Sequence, residues 1–557
     1  MAQQHNYWSI FGTVSKDYDY IIIGAGSAGC VLANRLSADP SLRILLLEAG
    51  GRDTHPLMSM PLAFFQLLRR PEVNWGFETE PEEHANGRRI PVLRGRTLGG
   101  SSSINGMMYT RGDPRDYDQW AQIGNIGWAY DDVLPYFKRS ETNWRGHSEF
   151  HGGDGPLSVS RHPTDNDLFR AVAQTAESKG YRVTDDFEAG DAEGFGVPDF
   201  TVHDGRRGST AKRFLQPVRT RPNLEVVINA TCTRIVLENK RATGIEYLAD
   251  GRLMKARAAR EVILSGGAYN SPQLLMLSGI GPGGHLREMG IDTVLDLPGV
   301  GRNLQEHPSL PMRFDSKKPM DFEKSIRFDR LAASVARWQF TGKGLPATLP
   351  LTAIAFLKTM ENLERPDLEI LMIPTAMDAN VWFPGIKKGR GHVISASCII
   401  LRPDSRGTVE LRSANPLDAP RIRWNLLAEQ SDRALLRRGV RWMRDFVRAA
   451  PLSDFVGDEV LPGPQVDSDE AIDAYARGMT GTAHHPTSTC SMGTGSNSVV
   501  DPELRVHGIE GLRVVDASIM PIIVGGHTNA PTIMIAERAA DLILGKVSAK
   551  SNLTISA

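Results

Sequence analysis

Residues 481–493 read GTAHHPTSTCSMG, with His484 and His485 side by side before Pro486 and Cys490 shortly after. An imidazole titrates near pH 6.5 or so, roughly where a side chain must sit to exchange a proton at neutral pH. Such a pair can supply a general base, begin a metal site, or pack in a core. Metal binding fits poorly, because neighbouring side chains on an extended chain point apart. The segment also has neither HExxH nor paired-cysteine spacing, and no metal is expected. Cys490, among small residues, reads as buried rather than reactive. The rest of the chain must say what the histidines face.

Residues 17–30, DYDYIIIGAGSAGC, open with an unalternating β-branched run, the mark of a buried parallel strand. The run enters Gly24-Ala25-Gly26-Ser27-Ala28-Gly29, a GxGxxG turn, and a helix carrying Val31, Leu32 and Leu36 follows. A second strand, RILLLEAG, then ends at Glu48. Gly24 and Gly26 permit a tight turn and close approach to a pyrophosphate, and Gly29 lets helix and strand pack. The helix N-terminus favours negative charge, and a carboxylate at Glu48 suits a ribose hydroxyl. These parts in register predict a dinucleotide site. The acid disfavours a 2′-phosphate, hence NADP, and leaves NAD and FAD open.

The 557 residues exceed one core of roughly 100–200 residues, so two or more substructures are expected. A net charge of −1 gives no electrostatic case for nucleic acid or an anionic membrane surface. The paired arginines at 69–70, 88–89 and 206–207 read as solvated surface. Four scattered cysteines, Cys30, Cys232, Cys398 and Cys490, do not make a disulfide framework. Neither a secretory leader nor a membrane span is read, so a cytoplasmic location is expected. Residues 1–16 read as an arm whose Tyr7, Trp8, Ile10 and Phe11 suit docking, with a second subunit (a homodimer) as the candidate partner.

Residues 94–112, RGRTLGGSSSINGMMYTRG, offer backbone N–H groups and small side chains to a planar ligand or its phosphates. This stretch resembles the first motif of the glucose–methanol–choline (GMC) oxidoreductases, and GGAYNSPQLLMLSGIG (266–281) resembles the second. EAGGRD, RGDPRDYDQWA, GWAYDDVLPYFKRSE, HGGDGPLSVS, LPGVGRNLQEHP, VVDASIMP and NAPTIMIAERAADLI also follow the family, so the resemblance covers nearly the whole chain. It implies FAD and an α/β fold: a Rossmann-like FAD-binding domain with a second α+β substrate-binding domain built on an antiparallel sheet. The FAD-binding pieces are expected at 17–150, 225–310 and 470–546, and the substrate-binding pieces at 151–224 and 311–469. Within the latter, HVISASCIILRPDSRGTVEL reads as turning strands and LLRRGVRWMRDFVRAA as an amphipathic helix with its arginines outward.

The resemblance also implies which residues meet FAD. They are Gly24, Gly26, Ser27, Ala28 and Gly29 in the turn, then Glu48 and Ala49. Arg96, Leu98, Gly99, Gly100, Ser101, Asn105, Gly106 and Met107 follow in the first motif, with Cys232 and Gly266 further on. Asp516 and Ala517 are expected near the ribityl chain, and Asn529, Pro531 and Thr532 at the start of a helix. Pro531 suits a first helical turn, and Asn529 or Thr528 could cap it. Some family members attach the flavin through a histidine in the GGSSSIN segment. Ile104 stands there, so non-covalent FAD is expected.

The opening stretch acquires a meaning from the same resemblance. His485 falls at the active-site position before proline and His527 at its partner, both beside the flavin N5 edge. The implied reaction is oxidation of a primary alcohol to the aldehyde, by hydride transfer to N5 with histidine as base. Oxygen or a quinone or dye then takes the electrons. His485 is expected as the base with His527 on the same oxygen, although many relatives carry asparagine at the second position. His484 reads as pocket wall, and His307, next to Glu306 where aspartate is usual, reads as packing behind the site. Met58, Met60, Phe64, Phe65, Trp382 and Phe383 suggest an apolar wall that favours aliphatic or aromatic alcohols over sugars. The alternative is a non-redox or light-driven member of the family, of the hydroxynitrile lyase or fatty-acid photodecarboxylase kind.

Overall fold

A computed structural model describes residues 16–162 and 166–547. Residues 1–15 of the expected arm lie outside the described residues, and Lys16 already belongs to a strand. Strand β1 (Lys16–Ile23), helix α1 (Ser27–Leu36) and strand β2 (Ile44–Leu47) follow the order read from the sequence. β1 lies between β2 and β3 (Arg252–Leu264) and runs parallel to both. Leu224–Val227 adds in parallel outside β2, and Leu512–Val514 pairs in parallel with β3. Ile21, Ile22, Ile44, Leu46 and Ile263 have no exposed surface. Strands covered on both faces have no wet side to make polar, which explains the unbroken apolar runs. Two antiparallel strands, Ala230–Glu238 and Arg241–Ala249, extend the sheet beyond β3.

The second sheet is antiparallel and centres on β4 (Pro308–Ser316), β5 (Leu368–Ile373) and β6 (Val393–Ile400), with β6 in the middle. Val456–Leu461 flanks β4, while Ala353–Leu357 and then Gly194–Gly196 flank β5. Helix α2 (Gln430–Arg448) packs Leu436, Val440, Met443 and Phe446 into the same core as Cys398 and Leu368. One of its arginines departs from the expected outward face. Arg444 is buried and meets both carboxylate oxygens of Glu459, at 2.9 and 2.8 Å, because the neighbouring edge strand supplies a partner.

The expected seams shift slightly, and the shift matters for the site. Pro308 and Ser309 pair with Thr482 and Gly481, so the second sheet begins before residue 310 and recruits residues beyond 470. Helix Asp469–Met479 likewise puts Ile472 and Ala476 into the second core. His307 and His485 therefore stand just off the ends of two paired strands.

Helix α3 (Asn529–Ile543) packs beside α1, where Ser27 Oγ donates to Asn529 Oδ1 at 2.7 Å and Arg35 meets the fully buried Glu537 at 2.7 Å. The expected side-chain cap is not formed. Thr528 makes no capping bond and Asn529 is occupied by Ser27, while Thr528, Asn529 and Thr532 border the cavity described below. Among the described residues no helix is long and apolar enough to cross a membrane.

Candidate active site

One cavity of about 650 Å³ is bordered both by the glycine turn after β1 and by His484, His485 and His527. Small-molecule and cofactor sites occupy roughly 300–1,000 Å³. The glycines divide into those the protein needs for its own packing and one that leaves room. A Cβ on Gly24 would meet the Ser265 carbonyl oxygen at 2.5 Å, and one on Gly29 would meet the Gly24 carbonyl oxygen at 1.9 Å. A Cβ on Gly26 would meet nothing within 4 Å, and Gly26 borders the cavity. That is the approach a pyrophosphate requires, at a helix whose first amides carry no side-chain cap.

Glu48 closes this end. Its Oε2 accepts from Ala25 N at 3.0 Å and its Oε1 from Gly50 N at 2.8 Å, so the acid ties β2 to the turn. Burial pushes its carboxyl up to about 7, against the pull of those two N–H donors and of Arg96. Each oxygen keeps a second lone pair for a ribose hydroxyl. Asp516 is buried and engaged in the same manner, accepting from Gly267 N and Ser271 Oγ on one oxygen and from Ser518 N on the other. The residues present thus fit a dinucleotide.

At the other wall the histidines converge. The His485 and His527 rings have centroids 4.7 Å apart, although 42 residues separate them (527 − 485) in sequence. The peptide before His485 is held from both sides: Glu306 Oε1 accepts from His485 N at 2.5 Å, and Arg94 Nη2 donates to the His484 carbonyl at 2.8 Å. His484 itself has φ +65°, a left-handed conformation a non-glycine residue adopts at some cost. Glu306 also accepts from His307 N at 3.0 Å, and His307 Nδ1 lies 3.0 Å from His485 Nδ1. His307 is therefore more than packing, because it touches the candidate base. Burial, followed by the charges of His527, His307, His484 and Arg94, holds the His485 pKa well below that of a free imidazole. His485 is consequently neutral at physiological pH. His527 is placed by Thr110 Oγ1, which accepts from its backbone N at 2.8 Å.

Most residues expected at the cofactor border the cavity: Gly24, Gly26, Ser27, Ala28, Glu48, Ala49, Arg96, Gly100, Ser101, Asn105, Gly106, Met107, Cys232, Gly266, Asp516, Ala517, Asn529 and Thr532. Gly29, Leu98, Gly99 and Pro531 do not border it. Gly29 is consumed by the contact of helix with strand, Gly99 N donates to the Ala25 carbonyl at 2.7 Å, and Leu98 and Pro531 are buried in packing. Of the apolar wall read from sequence, only Phe64 borders the cavity. Met58 packs with Leu67, Val73 and Ile104, and Phe383 lies against Phe328 and is 38% exposed. The aromatic border comes instead from Trp75, Phe77 and Tyr269. Sequence reading also passed over Arg94 and Glu369. The first opens the glycine-rich motif without being singled out there, and the second is the one acid in the apolar strand LEILMI.

A parallel sheet with a glycine turn at its strand end, joined to an antiparallel sheet by a cavity carrying two imidazoles, defines a two-domain, dinucleotide-dependent oxidoreductase. The chain belongs to the GMC oxidoreductases, whose family models match residues 18–309 and 403–536. It is 44% identical over 537 residues to an oxygen-dependent choline dehydrogenase of Burkholderia multivorans, covering 96% of this chain and 94% of that protein. Among solved structures, a pyridoxine 4-oxidase from Mesorbium loti superposes with a TM-score of 0.84 at 31% identity, over 94% of this chain and 98% of that one. A formate oxidase from Aspergillus oryzae gives 0.88 at 28% identity, over 96% and 99%. The cofactor is FAD, and the protein is an FAD-dependent enzyme acting on CH–OH donors.

Proposed function

We propose that the enzyme oxidises a neutral primary alcohol, aliphatic or aromatic, to its aldehyde. The observation that carries this reading is the pair of imidazoles on one cavity wall, His485 buried and His527 nearly so, across from a cradle that fits the dinucleotide. Each ring uses one nitrogen within the protein: His485 Nδ1 faces His307, and His527 Nε2 faces Glu369. Among the described residues the second nitrogen of each, Nε2 of His485 and Nδ1 of His527, has no hydrogen-bond partner, and both residues border the cavity. Two such nitrogens can hold one hydroxyl group between them, one donating to its oxygen and the other accepting its proton. FAD bound in the cradle supplies the acceptor for the hydride that leaves the alcohol carbon. Phe64, Trp75, Phe77 and Tyr269 give the cavity an apolar border, beside which polar contacts are stronger than in water.

The border also bears on substrate charge. Its acids are Glu48, Asp418 and Asp516, and each is already engaged by N–H or hydroxyl donors of the protein. The Arg96 guanidinium lies 5.1 Å from the Trp75 ring centre, a poor neighbour for an ammonium ion. A second reading, choline as substrate, is favoured by the name of the Burkholderia relative. The oxygen named there likewise favours oxygen over a quinone as final acceptor.

The deciding measurement is an anaerobic visible spectrum of the purified protein, mixed in the dark with benzyl alcohol, a straight-chain primary alcohol and choline. Bleaching by the neutral alcohols is expected, with prompt recolouring in air if oxygen is the acceptor. Bleaching by choline alone would establish the second reading. A flavin that stays yellow throughout would favour the lyase or light-driven chemistry.

FAD is held without a covalent link on this reading, since Ile104 stands buried where an attachment histidine would be. Trichloroacetic acid should pellet a colourless protein and leave the yellow in solution, and a yellow pellet would refute it.

A further inference from the structure

Charge is spread unevenly over this chain. A net charge of −1 conceals a basic face: residues 317–343 and 377–392 together hold ten lysines and arginines against four aspartates and glutamates. The two segments lie side by side. Phe328 N donates to the Trp382 carbonyl at 2.9 Å, and the Phe328 and Phe383 rings meet edge to face with centroids 6.5 Å apart. Arg330, Arg337, Lys343, Lys387 and Lys388 are exposed, and among the described residues none of them has an acidic partner.

Between these cations the surface is apolar. In helix Phe328–Thr341 only Trp338 is buried, and its Nε1 donates to the Gly205 carbonyl at 2.7 Å. A spacing of four puts Phe328, Ala332, Ala336 and Phe340 on one stripe, and all four are exposed. Phe328 keeps 60% of its surface and Phe340 89%. Arg330 and Arg337, two turns apart, line the neighbouring side of the helix. Beyond the Phe328 end, the turn closed by Phe383 and Lys387 presents Ile386, 84% exposed, directly before Lys387 and Lys388. Single exposed apolar side chains are ordinary, but a run of them rimmed by charge marks an interaction surface.

The charge selects the partner. A two-fold dimer lays a patch against its own copy, which would set these unpaired cations against one another. A nucleic acid would meet the cations but leave the phenylalanines and Ile386 against a charged backbone. A lipid surface with anionic headgroups satisfies both parts: apolar side chains enter the boundary between headgroups and chains, while lysine and arginine stay at the phosphates.

We propose that helix Phe328–Thr341 and the turn 383–388 seat the enzyme on an anionic lipid surface, with Phe340 and Ile386 entering the interface. The exclusion of such a surface, expected from net charge, thus holds for the chain as a whole and fails for this face. None of these residues borders the cavity, so the seat is separate from the oxidation site, and its failure would leave the functional reading standing.

The test is flotation of the holoenzyme with vesicles. At about 0.1 M salt it should float with phosphatidylcholine vesicles that contain phosphatidylglycerol and not with phosphatidylcholine alone. It should be released at about 1 M, where screening shortens to about 3 Å. The double variants Phe340→Ser/Ile386→Ser and Lys387→Glu/Lys388→Glu should each weaken binding more than about tenfold. Their FAD content and their flavin reduction in solution should be unchanged, since every substituted side chain is exposed. Fluorescence of the residue introduced by Phe340→Trp should be quenched by lipids with brominated chains. No flotation with anionic vesicles, equal flotation with both compositions, or binding that neither double variant weakens overturns the proposal. A dimer that Phe340→Ser/Ile386→Ser dissociates in sedimentation assigns the face to a second copy and overturns it too. Retention on duplex DNA without flotation does the same in favour of a nucleic acid.

Discussion

His485→Ala is expected to bind FAD and yet reduce it roughly 10²–10⁴ times more slowly under anaerobic stopped flow, the range for loss of a general base. His527→Ala should lose roughly 10²–10³, the range for a single donor to a developing oxyanion. Neither substitution touches the glycine cradle, so visible spectra and FAD content should match the wild type. The two rings hold one oxygen, so their losses should not add. The double variant should be slower than His485→Ala by much less than the effect of His527→Ala alone. A reduction rate unchanged in both single variants would place the chemistry elsewhere. A full product of the two losses would mean that the imidazoles act on different atoms.

The parts of this site that the sequence displayed are those built within one continuous stretch. Strand, glycine turn, helix and Glu48 lie within residues 16–48, and each has a local reason for its residue type. Family resemblance supplied the distant pieces, and Asp516, His485 and His527 do border the same cavity as the turn. Strand pairing across hundreds of residues left little trace in the sequence. Nothing in LQEHP or GTAHHP announces that Pro308 pairs with Thr482, and that pairing brings His307 against His485.

Side-chain direction was the other loss. Trp382 and Phe383 are as apolar as Trp75 and Phe77, but Trp382 Nε1 donates to the Glu323 carbonyl at 2.8 Å, away from the cavity. Composition names apolar residues without saying which way they point. Glu369 was legible in principle, because an acid inside a buried strand demands a partner. Only the folded chain identifies that partner as His527.

The turn offers the second large effect, through two substitutions that look alike in sequence and should fail differently. Gly29→Ala places a methyl 1.9 Å from the Gly24 carbonyl oxygen and 3.4 Å from Ile22 Cγ2. Backbone cannot yield as a flexible side chain does, so α1 must lift from β1, at an overpacking cost of about 1–3 kcal/mol or more. The expected result is a lower unfolding midpoint in the apoprotein as well as loss of FAD. Gly26→Ala meets no protein atom within 4 Å and its φ of −78° suits alanine, so the apoprotein should unfold at the wild-type midpoint. Its methyl nonetheless enters the space through which a pyrophosphate must approach. FAD binding to this variant should weaken by more than about tenfold, or about 1.4 kcal/mol, when apoprotein is titrated with FAD. Tight FAD binding by Gly26→Ala would mean that the phosphates lie elsewhere along the cavity. Selective loss of FAD from a normally stable Gly26→Ala protein would fix them at the N-terminus of α1, and the far end of the ligand would then extend toward His485 and His527.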